Sequence, residues 1–406
     1  MIRIGILGCG RILNAHLQGF QQLRQLGDDD FRITALVARK EEDGHMFRKR
    51  GEGPPPRPPL LPPGAVDPLA APHTYVSDLH DDVVARVYTD YRRLLEDGVV
   101  DALLDTTPVF LHHQIGLAAL EAGIHLLAQK PLAITMKLAR RMVGLARAKK
   151  LSLGVFENAR YRPLVRAAHW AFASGLLGQP QMALLGSLGG PWSPDRLVAD
   201  TAWRHIKLQA GGGATLDIGV HQIDVLRHVF GEIRSVQAVA RTFEPARGGQ
   251  PVDVDDTYFA TVTFANGAIA QLLWSWGGHG AALALPGTPA FFGSKGCIQF
   301  DALTLDGGPR QELLPLFERE ADAAFKTRFF PLGLRDPFAI IQHEWLQAIR
   351  TGGAGPETDG NEGLRDLAAA FAILESSQAG RPVSLDEILE GKVDAYQRPI
   401  DEHFSH

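Results

Sequence analysis

Hydrophobic and polar positions near the start of the chain predict strand, turn and helix in regular succession. Ile2–Leu7 is a short apolar run with β-branched members that stops at the glycine pair Gly8 and Gly10. Apolar residues then recur at helical spacing from Ile12, and Phe31–Ala38 forms a second buried-strand pattern. This order predicts a βαβ unit, the building block of a doubly wound parallel sheet.

The same alternation continues further along the chain. It predicts helices and strands in turn at Tyr91–Glu96, Val100–Asp105, His112–Ala122, His125–Ala128, Met136–Lys149 and Leu151–Phe156. We place the end of this first domain, of Rossmann type, at residue 134, so that it spans residues 1–134.

A proline-rich segment interrupts this pattern. Residues 51–80 read GEGPPPRPPLLPPGAVDPLAAPHTYVSDLH, and so many prolines remove backbone donors and block helix continuation. We predict an inserted surface loop, which either covers the adenosine end of a cofactor or is disordered. The composition of the segment fits both alternatives.

The pattern changes in the second half of the chain. Runs such as TYFATVTFA and GAIAQLLWSW, with the turn signal Asn266–Gly267 between them, are typical of antiparallel strands. We therefore predict a second α/β domain, residues 135–406, with a large, mainly antiparallel open sheet. A strongly apolar final helix at residues 361–378 ends before Gly380, and packing against the first domain is one option for it.

Composition narrows the class of protein. A chain of 406 residues exceeds the usual size of a single core, which supports two domains. Hydrophobic residues are 45% and charged residues 21%, as in soluble globular proteins. The formal net charge is −5, which gives no support to nucleic-acid binding. No run reaches the ~18 apolar residues of a membrane-spanning helix.

Two further features concern the compartment. Cys9 and Cys297 are the only cysteines and lie far apart, so we expect no disulfide framework and a reducing environment. The segment Met1–Gly10 does not resemble a signal peptide. We expect a cytoplasmic protein.

The glycine turn suits a dinucleotide. At Gly8 and Gly10 the backbone can approach a pyrophosphate, which would lie at the positive end of the following helix. The third small position of the usual fingerprint is Leu13 here, so a tight turn without a ligand remains an alternative. The second strand ends at Ala38 rather than at a ribose-binding acid, and Arg39 and Lys40 follow.

Those two basic residues favour NADP over NAD. A guanidinium can pair with a 2′-phosphate, although basic residues at the end of a strand are also ordinary solvated surface.

Two segments directly follow predicted strands, where ligands bind in parallel sheets. They are Thr106–His113 and Ala128–Leu132. Lys130 in the second segment can meet both the nicotinamide ribose and a substrate oxygen, where it would stabilise alkoxide charge. A surface lysine before a turn-forming proline is the alternative.

A glycine-led helix between Gly211 and Gly231 carries Asp217, His221 and Asp224 at i, i+4 and i+7, on one face. Asp217 can orient the His221 imidazole, which suits a general base that takes a hydroxyl proton. A structural histidine and an Asp–His metal site are the alternatives, but a third strong metal ligand is missing from the pattern, so we expect no metal.

Taken together, these motifs resemble the glucose-fructose oxidoreductase, inositol dehydrogenase and MocA family of NAD(P)-dependent oxidoreductases. The resemblance spans nearly the whole chain. It rests on IGILGCGRI, TPVFLHH, EAGIHLLAQKPLA, FENARYRP, WRHIKLQAGGGATLDIGVHQIDVL and LRDLAAAFAILESSQAGRPV. The family fold implied is a Rossmann domain followed by an α/β domain whose open sheet mediates dimers or tetramers, so we expect a homodimer or homotetramer.

The resemblance also implies roles for particular residues. The family's Glu-Lys-Pro motif is represented by Gln129, Lys130 and Pro131, which makes Lys130 the catalytic lysine and leaves the usual glutamate as Gln129. The family's Asp and His pair corresponds to Asp217 and His221, with His221 as acid/base.

Further residues follow as binding contacts. Residues implied at the substrate, beside Asp217 and His221, are Asn158, Arg160, Trp203 and Arg204. Residues expected at the cofactor are Gly8, Gly10, Arg11, Ile12, Arg39, Lys40, Thr107, Pro108, His112, Gln129 and Lys130. The family's asparagine after Thr-Pro is Val109 here, whereas His112 fits the family's histidine, so the nicotinamide-side contact is only partly preserved.

The sequence thus predicts reversible oxidation of a secondary alcohol on a sugar, cyclitol or glycoside. His221 would remove the hydroxyl proton, Lys130 would steady the oxyanion, and hydride would pass to the nicotinamide. Two alternatives remain: an NAD-dependent glycosidase that uses transient oxidation, and a non-catalytic sensor that keeps only the dinucleotide fold. The sequence alone does not identify the substrate.

Overall fold

The chain divides into two compact units, each of which is held together by contacts among its own residues. The computed structural model describes residues 1–62, 64–65, 67–190, 192, 196–285 and 287–405. The first unit comprises Met1–Ala133, Leu138–Phe156 and Leu334–Gly363, and the second comprises Ile134–Lys137, Glu157–Gly333 and Leu364–His406. The predicted boundary after residue 134 stays a prediction; these units differ from it because later segments return to the first unit.

The secondary structure alternates helices and strands over the first 156 residues and is richer in strands afterwards. The strands are β1 Ile2–Leu7, β2 Phe31–Val37, β3 Arg86–Tyr88, β4 Ala102–Asp105, β5 His125–Gln129, β6 Leu153–Phe156, β7 Pro180–Leu188, β8 Ile233–Arg241, β9 Ala246–Arg247, β10 Gln250–Pro251, β11 Thr257–Phe264, β12 Ile269–Ser275, β13 Leu283–Ala284, β14 Ala290–Gly293, β15 Gly296–Gln299, β16 Ala302–Leu305, β17 Arg310–Glu312 and β18 Val383–Ser384. The α-helices are α1 Leu13–Gln25, α2 Glu41–Arg48, α3 Tyr91–Asp97, α4 Val109–Glu121, α5 Met136–Lys149, α6 Pro163–Ala173, α7 Lys207–Ala210, α8 Val220–Phe230, α9 Leu313–Glu320, α10 Ala323–Phe329, α11 Pro337–Thr351, α12 Gly360–Ala379, α13 Leu385–Leu389 and α14 Arg398–His403.

The first unit is built on a six-stranded sheet in the order β3-β2-β1-β4-β5-β6. Every pairing in it is parallel. All residues of β4 and β6 are buried, which explains why these strands read as continuous apolar runs rather than as alternating ones. The order reverses between β1 and β4, and this switch is where such sheets bind ligands. The predicted doubly wound parallel sheet is confirmed.

The second unit contains a large mixed sheet in the order β17-β16-β15-β14-β7-β12-β11-β8-β18, with β13 also paired to β7. The β7–β12 pairing is parallel, and the other pairings along this sheet are antiparallel. Asn266 and Gly267 turn the chain between β11 and β12, as the sequence predicts. The predicted large, mainly antiparallel sheet is confirmed.

The helix expected at residues 361–378 is α12, but it is not the last helix. The two-residue strand β18 pairs with β8, and α13 and α14 follow. Elements this short carry no readable periodicity. The start of α13 does carry a sequence signal: Ser384 and Glu387 form a capping box, in which each side chain binds the other's backbone N–H.

The proline-rich insertion is a loop, as predicted. Among its described residues the regular elements are two 3-10 turns, at Pro68–Ala70 and Val76–Asp78. Its last part is tied to α1, because the Thr74 backbone N–H donates to Asn14 Oδ1 at 3.3 Å.

Candidate functional site

The glycine turn after β1 has the geometry that a dinucleotide needs. Gly8 has a φ of +96°, and a Cβ there would come within 2.7 Å of Thr106 Oγ1. A Cβ added to Gly10 would meet nothing within 4 Å, so the backbone of this turn is uncovered on that side. The turn leads into α1 through Arg11 and Ile12, and the 13-residue helix directs its positive end towards the turn. These residues fit a bound pyrophosphate.

The end of β2 lacks a ribose-binding acid, as the sequence indicates. Ala38 is buried, whereas Arg39 and Lys40 are exposed. Lys40 Nζ lies 3.5 Å from a carboxylate oxygen of Glu42 on the first turn of α2. A cation at this position is compatible with either nicotinamide cofactor.

The segment after β4 is fixed by internal hydrogen bonds. Thr107 donates to the fully buried carboxylate of Asp105 through its backbone N–H at 2.9 Å and through Oγ1 at 2.6 Å. Pro108 then occupies the N-cap position of α4, without a side-chain capping hydrogen bond. The two ring nitrogens of His112 lie 2.8 Å from the Thr107 carbonyl oxygen and 3.0 Å from that of Pro131. His112 therefore links the segments that follow β4 and β5, and we expect it to position the cofactor site through them.

Gln129, at the end of β5, binds a second histidine that the sequence did not single out. Its amide Nε2 lies 2.7 Å from Nε2 of His16, which is fully buried on α1. The His16 ring packs against Phe156 and Phe338, at centroid distances of 4.3 and 4.9 Å. Burial lowers the pKa of His16 to about 3, so its imidazole is neutral and accepts the amide hydrogen. An amide suits this partner because it adds no buried charge.

This buried histidine predicts that acid destabilises the protein. In the unfolded chain His16 takes up a proton below about pH 6.5, whereas in the folded chain it stays neutral down to about pH 3. Unfolding is then favoured by about 1.4 kcal/mol for each pH unit below 6.5, or about 2 kcal/mol at pH 5. Urea unfolding at pH 7.5 and pH 5 measures this, and His16→Gln should shrink the difference between the two pH values. If the free energy of unfolding changed between the two pH values as much in His16→Gln as in the wild type, His16 would not be the cause of the destabilisation by acid.

Lys130 directly follows Gln129 at the carboxyl end of β5, and its side chain is half-buried. This is the position at which ligands approach a parallel sheet. The lysine and the glycine turn belong to the same unit and the same sheet edge.

The glycine-led helix of the second unit begins at a buried carboxylate. Asp255 accepts hydrogen bonds from the backbone N–H groups of Gly213 and Thr215, at 2.7 and 2.8 Å. A Cβ on Gly213 would lie 1.8 Å from the Asp255 carbonyl oxygen, so only glycine allows this approach. Burial raises the pKa of Asp255, and these hydrogen bonds oppose that rise. The carboxylate thus fixes the start of the segment that carries Asp217 and His221.

The helix starts as a π-helical segment, Thr215–Gly219, and continues as α8 from Val220. Such i→i+5 turns recur at functional sites. A π-helical turn contains more residues than an α-helical turn. Asp217 and His221 are therefore separated by a different angle around the helix axis from the one expected for a regular α-helix.

His221 is hydrogen-bonded to Glu157, a residue that was not assigned from the sequence. Its Nδ1 lies against Oε1 of Glu157, the residue immediately after β6. Glu157 is 1% exposed, whereas the side chain of His221 is 22% exposed. The Ala159 backbone N–H also donates to Glu157 Oε1, at 3.3 Å. A buried carboxylate that holds Nδ1–H directs the lone pair of a neutral imidazole to Nε2, as general-base chemistry requires.

Asp217 pairs with Arg204, which is one of the predicted substrate residues. Arg204 Nε lies 3.6 Å from Asp217 Oδ1, and its NH1 donates to Thr201 Oγ1 at 2.7 Å. The guanidinium also lies over the Trp203 ring, 4.3 Å from its centroid. Three of the predicted residues are therefore in contact in the second unit. The role of Asp217 in orienting His221 stays a prediction.

Arg160 occupies a different environment from the one implied by the resemblance. It is 4% exposed and forms an ion pair with Asp224, which accepts both its Nε–H and its backbone N–H. Its NH2 lies 3.5 Å from Asp366, which in turn accepts from Arg227 at 2.6 Å. Burial raises the pKa of Asp224, and Arg160 opposes that rise. Arg160 therefore supports the loop that carries Glu157 and half-exposed Asn158 from within the core.

Two residues of the site, His16 and Glu157, were not assigned from the sequence. His16 offered no signal, because a lone histidine on an apolar helix face is typical of core packing. Glu157 did offer one: it directly follows a predicted strand of the parallel sheet, the same argument that selected Lys130. Within the described ranges, no cluster of three or more His, Cys, Asp or Glu side chains is arranged to hold a metal ion. No helix of the described part combines the length and apolar character needed to cross a membrane.

Two family models match the chain. Residues 64–157 match the oxidoreductase family with an NAD-binding Rossmann fold, and residues 165–299 match the GFO/IDH/MocA C-terminal domain. The two matches together cover more than half of the 406 residues.

Individual proteins are also similar. Levoglucosan dehydrogenase of Pseudarthrobacter phenanthrenivorans is 29% identical over 66% of this chain and 75% of its own length. Myo-inositol 2-dehydrogenase of Thermotoga maritima is 23% identical over 96% of this chain and 100% of its own. Among solved structures, levoglucosan dehydrogenase with NADH and L-sorbose has a TM-score of 0.73 at 22% identity, covering 95% of this chain and 98% of that chain. This last likeness shows the fold.

Proposed function

The chain belongs to the glucose-fructose oxidoreductase, inositol dehydrogenase and MocA family of oxidoreductases, and from this premise we propose the reaction that it catalyses. It transfers a hydride between a nicotinamide cofactor and a secondary alcohol or ketone of a sugar, cyclitol or glycoside. The observation that carries the proposal is the pairing of half-exposed His221 with buried Glu157. Relatives named for levoglucosan and myo-inositol support a polyol or sugar as the substrate class.

His221 is the acid/base in this proposal. Because Glu157 holds Nδ1, Nε2 is the nitrogen that takes the hydroxyl proton during oxidation and returns it during reduction. Glu157 also stabilises the imidazolium that forms once the proton has moved.

Lys130 stabilises negative charge on the substrate oxygen. The residue directly follows β5, at the edge where a parallel sheet presents side chains to a ligand, and its ammonium group would face the developing negative charge. Gln129 and His112 keep the segment around it in place through His16 and Thr107. A bound nicotinamide supplies the carbon that accepts or returns the hydride.

We propose NAD or NADP as the cofactor, with NADP favoured. The turn at Gly8 and Gly10, uncovered at Gly10, would take the pyrophosphate, with Arg11 and Ile12 at the start of the helix beside it. Thr107, Pro108, His112, Gln129 and Lys130 would flank the nicotinamide half. The exposed cations Arg39 and Lys40 support the NADP preference.

The substrate contacts proposed in the second unit are Asn158, Trp203, Arg204, Asp217 and His221. An aromatic face next to paired charged groups suits a polyol, because the ring covers C–H groups while the charged groups bind hydroxyls. Arg160 acts through the Glu157 loop rather than on the substrate.

We also propose that the protein is a homodimer or homotetramer assembled through the sheet of the second unit. Two cross-strand apolar pairs support this. Val239 and Phe259 are partners on β8 and β11 and are 53% and 45% exposed, and Met182 and Ile269 are partners on β7 and β12 and are also exposed. An apolar face of this kind needs cover.

One assay tests the function. Sugars, inositols and glycosides are offered with NAD and with NADP, and absorbance of the reduced nicotinamide is followed. A dehydrogenase forms reduced cofactor in proportion to substrate. Release of aglycone with no net change in the cofactor would instead indicate a glycosidase. Binding of the cofactor with no turnover of any substrate would indicate a sensor.

A further inference from the structure

The proline-rich insertion places an arginine against the glycine turn. Arg57 NH1 donates to the carbonyl oxygen of Cys9, between the two turn glycines, at 3.1 Å. Its NH2 forms an ion pair with Asp43 in the first turn of α2. One guanidinium therefore bridges the turn after β1 and the first turn of α2, the helix that begins directly after Arg39 and Lys40.

The turn after β1 and the residues between β2 and α2 flank the adenosine ribose of a dinucleotide in a Rossmann sheet. The turn after the first strand holds the pyrophosphate, and the residues after the second strand read the ribose 2′ position. Because α2 begins directly after those residues, we expect a group that contacts both the turn and the first turn of α2 to lie near that position. The Arg57 side chain is 35% exposed, so a ligand can reach it.

The sequence around Arg57 holds it in place. It is the only non-proline in Pro54–Pro59, and proline fixes the backbone of its segment, which reduces the entropy lost when the arginine binds a ligand. On one side, Gly53 with a φ of +66° packs so closely on α2 that a Cβ there would lie 2.5 Å from the Met46 backbone nitrogen. On the other, the Pro58 carbonyl oxygen accepts from Arg11 Nε at 3.4 Å.

We propose that Arg57 is a cofactor-specificity residue that binds the 2′-phosphate of NADP. This inference deepens the proposed function and rests on it. A guanidinium has five N–H donors in a planar fork that matches phosphate oxygens, and the two contacts described use only part of that capacity. A phosphate monoester carries more negative charge than the Asp43 carboxylate, so we expect the Arg57 side chain to turn to the cofactor while its backbone stays fixed. Arg39 and Lys40 add positive charge at the same strand end.

Equilibrium binding of NADPH and NADH to the full-length protein tests this without any turnover. Dissociation constants are measured by tryptophan fluorescence for the wild type, Arg57→Ala and Arg57→Lys. The matched control is Arg50→Ala, which removes another arginine next to the insertion that lies over Tyr75 and near Asp78. Arg57→Ala should weaken NADPH binding by about tenfold or more and leave NADH binding within about twofold. Arg57→Lys should retain part of the preference, and Arg50→Ala should leave both constants unchanged.

Other outcomes overturn the inference. If Arg57→Ala weakened the binding of NADPH and NADH equally, the arginine would only hold the insertion against the glycine turn. Three other results would exclude a role for Arg57 in binding the 2′-phosphate. They are unchanged dissociation constants in Arg57→Ala, weaker binding of NADH alone in that variant, and a wild-type protein that binds NADH but not NADPH. A wild-type protein that binds neither cofactor would refute the proposed function itself, and this is seen before any variant is compared.

Discussion

Replacing Lys130 or His221 with alanine is expected to lower kcat by about 10²–10⁴-fold in either direction of the reaction. Without Lys130 the substrate oxygen loses the cation that stabilises its developing charge. Without His221 the hydroxyl proton has no acceptor held by Glu157. His221→Ala should keep its affinity for the cofactor, and Lys130→Ala, which loses one contact to the nicotinamide half, should keep most of it, since the glycine turn is untouched.

Single-turnover absorbance with the best substrate of the panel gives the rate, and fluorescence titration with the reduced cofactor gives the affinity. Arg50→Ala serves as the matched control, because it removes a cation with a largely exposed side chain that is distant in sequence from both residues. If either alanine variant keeps more than about a tenth of the wild-type kcat, the acid/base and oxyanion assignments fail. If both lose cofactor binding instead, their role is structural.

Much of the fold could be predicted from the chain because its signals are local. The apolar run Ile2–Leu7 is β1 as predicted, and Met136–Lys149 matches α5 residue for residue. The return of Leu334–Gly363 to the first unit could not be predicted, because its main element is the helix α11, whose periodicity shows only that one face is buried. Periodicity does not identify the surface that covers such a face.

The site was predictable only in part. Lys130 lies directly after a strand, where a parallel sheet binds ligands, but its catalytic role came from the resemblance and stays a prediction. The partner of His221 depends on three-dimensional contacts: Glu157 is 64 residues away in sequence. The π-helical turn at Thr215–Gly219 also breaks the α-helical spacing on which the Asp217–His221 pairing was based. Arg160 was assigned to the substrate by resemblance, and this stays a prediction; its buried guanidinium pairs with Asp224 and Asp366, contacts that the sequence does not reveal.

Removing the carboxylate of Glu157 is expected to be nearly as damaging as removing the imidazole it holds. Glu157→Leu should lower kcat on the order of 10²-fold, because the ring loses both its fixed orientation and the charge that stabilises its protonated form. Glu157→Gln keeps the shape but removes the charge. Since a neighbouring anion raises the pKa of an imidazole, the rising limb of the kcat/KM profile for alcohol oxidation should move to lower pH, by about one unit.

Asp217→Asn is the variant that separates the two candidate partners of His221. Asp217 Oδ1 lies 3.6 Å from Arg204 Nε, whereas Glu157 lies directly against the His221 imidazole. The rising limb of the kcat/KM profile should therefore move less in Asp217→Asn than in Glu157→Gln. Profiles of kcat/KM between pH 5 and pH 10 for the wild type and both variants measure the shift. A larger shift in Asp217→Asn would reinstate Asp217 as the residue that orients His221. An unchanged limb in Glu157→Gln would mean that the buried carboxylate shapes the loop without setting the proton affinity of the base.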